Sequence, residues 1–317
     1  MNRILIITDK KKSSENQAFS ISNELIKKNR NINIIHKKID KSFFHFLPNK
    51  LIYLYLICQN FFKKDEFFKN INLIISCGRI AAPHSLFLKK KLNCKNCHIL
   101  NPYFAHKSFD KIIVPEHDIN KFNSSDNLIV TKGTLVNLSK LKSKIKIDDK
   151  IKGLFPRKKK KILILIGGDG KSSKVGINDI KHVIDKIVKL SSKFIIIFCF
   201  SRRTSPLIKN FIIINLNKNC FYFPKKEFNP YWELLSISDY IFVTADSVSM
   251  TSDALSTGKP TYIISVRYLK KKIKEFQNKL LRKGFTRLFS KNLESWKYKK
   301  FSESKIVCKK VSLNFHI

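Results

Sequence analysis

The chain alternates short apolar runs with longer polar or amphipathic stretches. Arg3–Thr8, Ile32–His36, Leu73–Ser76, His98–Leu100, Lys111–Val114 and Leu128–Thr131 read as strands in the first half. Lys161–Ile166, Phe194–Cys199, Tyr240–Val243 and Thr261–Ser265 read as strands in the second. Several are almost continuously apolar, as strands buried on both faces must be. Helical stretches fall around Glu15–Lys28, Leu51–Phe62 and Ala82–Lys91, with Pro83 suited to a first turn. A further short helix lies between Ser247 or Asp246, either of which could cap it, and Gly258, which could close it. Strands interleaved with helices predict parallel sheets covered on both sides. Between Lys140 and Lys161 the pattern breaks into lysines, Asp148-Asp149, Gly153, Pro156 and a basic run, which reads as a linker. The expected fold is therefore α/β, two Rossmann-like parallel-sheet domains facing a cleft. Residues 1–145 form one domain, 155–285 the other, and the tail 286–317 crosses back to the first.

Composition changes this picture little. In 317 residues, 63 Lys+Arg stand against 23 Asp+Glu, a formal charge of +40. Only 9 of the basic residues are Arg, the side chain that forks onto phosphates and guanine edges. With no nucleic-acid-binding signature, nucleic acid is not the expected partner, and peripheral contact with an anionic membrane is the better reading of the charge. Seven scattered cysteines and no recognisable export signal suggest a cytoplasmic protein, peripheral at most to the inner face of the membrane. Cys94-Lys95-Asn96-Cys97-His98 matches a haem-attachment pattern, but that chemistry needs export, so coincidence is expected. The apolar stretch Phe43–Phe62 is broken by Pro48, Asn49 and Lys50. Its core, Leu51–Cys58, is too short to span a bilayer and is expected to be a buried helix rather than an interfacial one.

Three strand ends in the second half carry residues suited to an anion. Gly167, Gly168 and Lys171 follow the first, Ser201, Arg202 and Arg203 the second, and Asp246, Ser247, Val248 and Ser249 the third. Asn229 opens a helix between the last two. In one parallel sheet these ends share a side, where ligands bind. Glycines let a backbone approach a diphosphate, Arg forks onto it, and a helix N-terminus presents unpaired N–H groups. Gly168-Asp169-Gly170-Lys171-Ser172 is not a P-loop, because Leu165 stands where the leading glycine is required. With no Asp-x-Asp motif, neither a metal nor another cofactor is expected.

Several blocks, in order, carry a resemblance: Glu15-Asn16-Gln17-Ala18, Gly78-Arg79-Ile80-Ala81-Ala82-Pro83, Val114-Pro115-Glu116-His117-Asp118, Thr131-Lys132-Gly133, Ile166-Gly167-Gly168, Ser201-Arg202-Arg203-Thr204, Asn229-Pro230-Tyr231 and Asp246-Ser247-Val248-Ser249-Met250. From about Asp9 to Trp296 the chain resembles the mitochondrial-fission (elongated mitochondria) family, bacterial branch. The resemblance implies a GT-B-like fold and a glycosyltransferase, its donor a nucleotide-diphosphate sugar held mainly by the C-terminal domain in the interdomain cleft. A non-catalytic membrane-surface adaptor and a nucleotide-sugar epimerase are the alternatives. Asp253 stands where GT-B transferases often place a Glu on the donor ribose. An inverting transferase needs a base for the acceptor hydroxyl, and His117, oriented by Glu116 or Asp118, is the candidate. The chain departs from the family pattern at Asp9–Ser14, which has no glycine, and at Ala245, where an acidic residue is usual.

Overall fold

The computed structural model describes residues 2–40, 46–60, 70–122, 126–142, 153, 155, 159–224 and 228–315. The chain separates into two compact units, residues 1–139 with 302–317 and residues 140–301. The segment read as a linker, 140–161, lies largely outside the described residues.

Unit 1 is a six-stranded parallel sheet of β1 (Asn2–Asp9), β2 (Ile32–Ile39), β3 (Ile71–Cys77), β4 (Lys95–Ile99), β5 (Lys111–Pro115) and β6 (Leu128–Thr131), in the order β2-β1-β3-β4-β5-β6. Ile4 to Ile7 explain the centre of the sheet, because all four side chains are fully buried. Ile4 and Ile6 pack with Ala18, Ile21 and Leu25 of α1 (Lys12–Lys28) and with Val307, Cys308 and Val311 of the C-terminal helix α10 (Glu303–Phe315). Leu5 and Ile7 pack on the opposite face with Ala81 and Leu88 of α3 (Ala81–Leu92). Each such side chain contributes about 1.5–3 kcal/mol by leaving water.

Helix α2 (Asn49–Asn60) departs from the sequence expectation. Asn49 and Ile52 are buried, but Leu51, Leu54, Ile57 and Cys58 are exposed. The run is apolar all round, so packing through one side leaves an apolar side facing out. Residues 41–45 and 61–69 of the longer apolar stretch lie outside the described residues.

Cys94 and Cys97 fall in different core clusters, one on each face of the unit 1 sheet, so they do not form a paired thiol site. Burial pushes the Cys94 thiol up to about 11. His98 is buried on β4 with Nδ1 2.8 Å from the Ser76 hydroxyl, and burial pushes its imidazole down to about 3.

Unit 2 is a second parallel sheet of β7 (Lys161–Ile166), β9 (Ile195–Phe200), β10 (Cys220–Phe223), β11 (Tyr240–Thr244), β12 (Thr261–Ile264) and β14 (Arg287–Leu288), in the order β10-β9-β7-β11-β12-β14. A two-residue antiparallel pair, β8 (Ser173–Lys174) with β13 (Tyr268–Leu269), lies outside the sheet. Counting only the sheet strands in chain order gives 3-2-1-4-5-6, the doubly wound arrangement of dinucleotide-binding folds. The direction of winding reverses between β7 and β11. Their side chains are buried along almost their whole length, which fits their unbroken apolar sequences.

Candidate functional site

The residues after β7, β9 and β11 meet in one network. Thr244, the last residue of β11, accepts the Gly167 N–H at 2.7 Å and donates to Asp246 Oδ1 at 2.6 Å. Asp246 Oδ2 accepts from Gly168 N at 3.1 Å and from Arg203 Nη2 at 2.8 Å. The Arg203 guanidinium also donates to the Gly168 carbonyl at 2.6 Å. Thr204 Oγ1 reaches the Ile166 and Gly167 carbonyls at 2.9 and 2.6 Å, while Ser201 N donates to the Ile166 carbonyl at 2.9 Å. The Asp246 side chain is 0% exposed and that of Arg203 40%, so water reaches only the arginine.

This packing accounts for the two glycines. A Cβ on Gly167 would lie 2.1 Å from Asp246 Oδ1, and one on Gly168 would lie 1.9 Å from the Arg203 carbonyl oxygen. The close approach that their bare Cα atoms admit is by the chain's own carboxylate and backbone.

Helix α8 (Val248–Thr257) starts at this network. Ser247 caps it, its hydroxyl accepting the Met250 N–H at 3.3 Å and its carbonyl the Thr251 N–H at 3.0 Å. The N–H groups of Val248 and Ser249 remain at the helix start for an anion. Gly258 closes the helix with φ +79°. The buried hydroxyls of Thr251, Ser252 and Ser256 bond back to carbonyls within one turn, which lets so polar a helix sit inside the unit. Gln277 of α9 (Lys271–Arg282) donates to the Ala245 carbonyl at 3.0 Å and holds the β11 turn from the other side.

The other candidates in unit 2 have distinct surroundings. Arg202 is exposed and, among the described residues, its side chain makes no hydrogen bond or ion pair. Lys171 is exposed at a tight turn bracketed by the Gly170–Ser173 bridge. Asn229 accepts the Cys199 thiol at 3.9 Å, tying the loop before α7 (Tyr231–Ile237) to β9. Val248 packs beside Leu255, Phe276 and Phe301, and Ser249 is half-buried. Asp253 is buried and accepts the Tyr231 hydroxyl at 2.8 Å. Burial pushes its carboxyl up to about 7, against the pull of the Tyr231 hydrogen bond and of Lys140.

In unit 1, Glu116, His117 and Asp118 open a short 3-10 turn directly after β5. His117 Nε2 lies 3.9 Å from Asp118 Oδ2, and Lys121 Nζ approaches the other oxygen, Oδ1, at 3.3 Å. The His117 side chain is nearly enclosed. Gly78 takes φ +92° directly after β3, and a Cβ there would lie about 3.5 Å from the Ser14 hydroxyl and the Asp9 carboxylate. Arg79 reaches the start of α2. It donates to the Leu47 carbonyl and Asn49 Oδ1, and Asn49 donates back to the Arg79 carbonyl at 2.9 Å.

The family model of mitochondrial fission ELM1 matches residues 14–315. The chain belongs to the mitochondrial fission ELM1 family. An uncharacterized protein of Rickettsia prowazekii is 29% identical, and the match covers 96% of each chain. Mitochondrial fission protein ELM1 of Arabidopsis thaliana is 28% identical over 71% of this chain and 60% of its own length. Among solved structures, the UDP-GlcNAc 2-epimerase of Neisseria meningitidis bound to UDP-GlcNAc superposes with a TM-score of 0.56 at 16% identity, covering 98% of this chain and 100% of its own. The glycotransferase of kitacinnamycin superposes at 0.55 and 9% identity, covering 98% and 90%. These similarities show the fold: the ELM1-family chain is GT-B-like, with one parallel-sheet domain per unit.

The residues of this ELM1-family network not named as site candidates from the sequence are Thr204, which stands there only in a resemblance block, Thr244 and Gln277. Thr244 leaves a signal, a lone hydroxyl ending an otherwise apolar strand, Tyr240–Thr244. Gln277 leaves none, since a glutamine in a lysine-rich amphipathic helix looks like any solvated residue.

Proposed function

We propose that unit 2 binds a nucleotide-diphosphate sugar at the ends of β7, β9 and β11, and that the chain is a metal-independent glycosyltransferase. One observation carries this reading. A Ser-capped helix start with two available N–H groups lies at the switch point of a doubly wound sheet, and an unengaged arginine, Arg202, follows the neighbouring strand β9. The UDP-GlcNAc carried by a neighbour of the same fold supports it. When a sugar leaves its diphosphate, negative charge grows on the phosphate oxygens. Helix N–H groups and a guanidinium aimed there stabilise that charge in place. In this reading Arg202 is the mobile clamp, and Arg203, bound to Asp246, holds the loop that carries it.

Transfer also needs a base for the acceptor hydroxyl, and His117, with Asp118 beside it, is the candidate. Calorimetry against UDP, GDP, UDP-glucose and UDP-GlcNAc tests the binding half. Arg202→Ala is expected to cost about 1.5–3 kcal/mol of affinity with no change in thermal stability. Equal affinity in wild type and variant removes Arg202 from the site. His117→Gln is expected to keep donor binding while turnover falls about 10²–10⁴-fold. The same incubations identify an epimerase by a changed donor sugar without transfer. A non-catalytic adaptor is identified by nucleotide binding with no turnover on any donor.

A further inference from the structure

Helix α2 presents an apolar face that nothing among the described residues covers. Leu51 and Leu54 are each 47% exposed, Ile57 36%, and Phe46, just before the helix, 83%. At 100° per residue, Leu51, Leu54, Tyr55, Ile57 and Cys58 fall within roughly 160° of the circumference. The opposite side is fixed to unit 1. Ile52 is buried, Tyr53 packs with Phe104 at 5.9 Å between ring centroids, and the reciprocal Asn49–Arg79 bonds pin the first turn. The exposed side is therefore held outward on a firm base.

Charge indicates what meets this face. Neither 46–60 nor 81–95 contains an acidic residue. Lys50 lies within the exposed arc beside Ile57, and Lys90 of α3 extends over the Tyr53 ring at 5.6 Å on the same flank. Twelve residues reach only about 18 Å along a helix axis, too short to cross a bilayer. Aliphatic side chains flanked by lysines, on a chain of formal charge +40, suit an interface with acyl chains below and anionic headgroups around it.

We propose that α2 is a membrane-docking helix: it lies in the surface of an anionic bilayer, inserting Leu51, Leu54 and Ile57 among the acyl chains while Lys50 and Lys90 face the headgroups. This is separate from nucleotide-sugar binding and does not depend on it.

The test is sedimentation of the full chain with vesicles of pure phosphatidylcholine and of phosphatidylcholine with 30% phosphatidylglycerol, at about 0.1 and 0.5 M salt, where screening separates charge from insertion. The wild type is expected to bind the anionic vesicles, more weakly at high salt. The double variant Leu54→Glu/Ile57→Glu should weaken binding at least tenfold. An equally charged control, Leu207→Glu/Ile214→Glu on the exposed residues of α6 (Pro206–Ile214), should bind as the wild type does. All three should give the same circular dichroism and melting curve, since the altered side chains are exposed. Leu54→Trp should be quenched by brominated acyl chains. Binding that is unchanged by Leu54→Glu/Ile57→Glu, or no quenching of Leu54→Trp, would mean that scattered lysines hold the vesicle, and would overturn the proposal. So would a wild type that is dimeric without lipid and made monomeric by the α2 charges, because the face would then belong to a second copy.

Discussion

The two sheets each reverse their winding once, at β1/β3 in unit 1 and at β7/β11 in unit 2, and the two reversals are built differently. Each puts an aspartate at the carboxyl end of a central strand, Asp9 as the last residue of β1 and Asp246 two residues past β11. In unit 1, Asp9 is satisfied locally: it accepts the Lys11 N–H at 3.2 Å, and the Lys11 ammonium lies 3.5 Å from its other oxygen. In unit 2, Asp246 is bound by Thr244, by the Gly168 N–H and by Arg203, so that one carboxylate joins three strand ends. A carboxylate satisfied by its own turn can be lost with little effect elsewhere. One that serves three elements fixes their relative positions, which a site for a diphosphate requires.

The sharpest way to break this contrast is to remove each acid. Asp246→Ala leaves the Arg203 guanidinium, the Gly168 N–H and the Thr244 hydroxyl without their acceptor. The cost expected is about 3 kcal/mol, at the low end for a broken buried pair because water reaches Arg203. Asp9→Ala is expected to cost about 1 kcal/mol, the scale of one lost hydrogen bond. Urea unfolding of the two variants checks this. Equal losses would show that the network of unit 2 is no more than a turn.

The next effect concerns the acids on the helices that follow. Helix α1 sets Glu24 against Lys27, whereas α8 sets Asp253 against a tyrosine hydroxyl. Burial holds the Asp253 carboxyl up to about 7, above the value of about 4 that it has in an unfolded chain. The folded state therefore binds more protons than the unfolded one between these values. Stability from this group is present in full below pH about 4 and is lost as pH rises through about 7. Asp253→Asn keeps an acceptor for Tyr231 without the buried charge. It is expected to match the wild type near pH 4 and to exceed it at pH 8 by about 1–3 kcal/mol. Urea midpoints at both pH values decide; a gap that does not widen with pH would show that Asp253 is compensated more fully than Tyr231 and Lys140 allow.

How much of the contrast is legible in the sequence follows from the range of the interactions. The strands of both units are legible because Leu5–Ile7 and Ile162–Ile166 have no polar face to offer solvent. The caps of α8 are legible too, since Ser247 and Gly258 act within three residues of themselves. The roles of Arg202 and Arg203 are not. The two residues are chemically identical neighbours, and only the approach of Asp246, 43 positions away, draws one of them inward. The exposed face of α2 was hidden for the opposite reason: its sequence is apolar on all sides, so no periodicity marks the outward one. The tail 286–317 is expected to cross back to the first domain, but its helix, Glu303–Phe315, goes unread, though Val307, Cys308 and Val311 have the spacing of a buried stripe.

The smallest effect sharpens the comparison at the helix starts. Ser247 accepts the Met250 N–H, whereas α1 begins at Lys11, which has extended backbone angles and no side-chain cap. Lys11→Ser would place a hydroxyl at that N-cap and take a positive charge away from the positive end of the helix. It also gives up the 3.5 Å ion pair with Asp9, but Lys11 is 65% exposed and such pairs contribute little. The net gain expected is about 0.5 kcal/mol, while Ser247→Ala is expected to lose about 1 kcal/mol. The two changes act in opposite directions at corresponding places, so urea unfolding of both, with the double variant, tests whether the starts of α1 and α8 differ only in their caps. If Lys11→Ser destabilises unit 1, the lysine is tied to Asp9 more firmly than its exposure indicates, and the turn after β1 is then a second organised strand end rather than a plain connection.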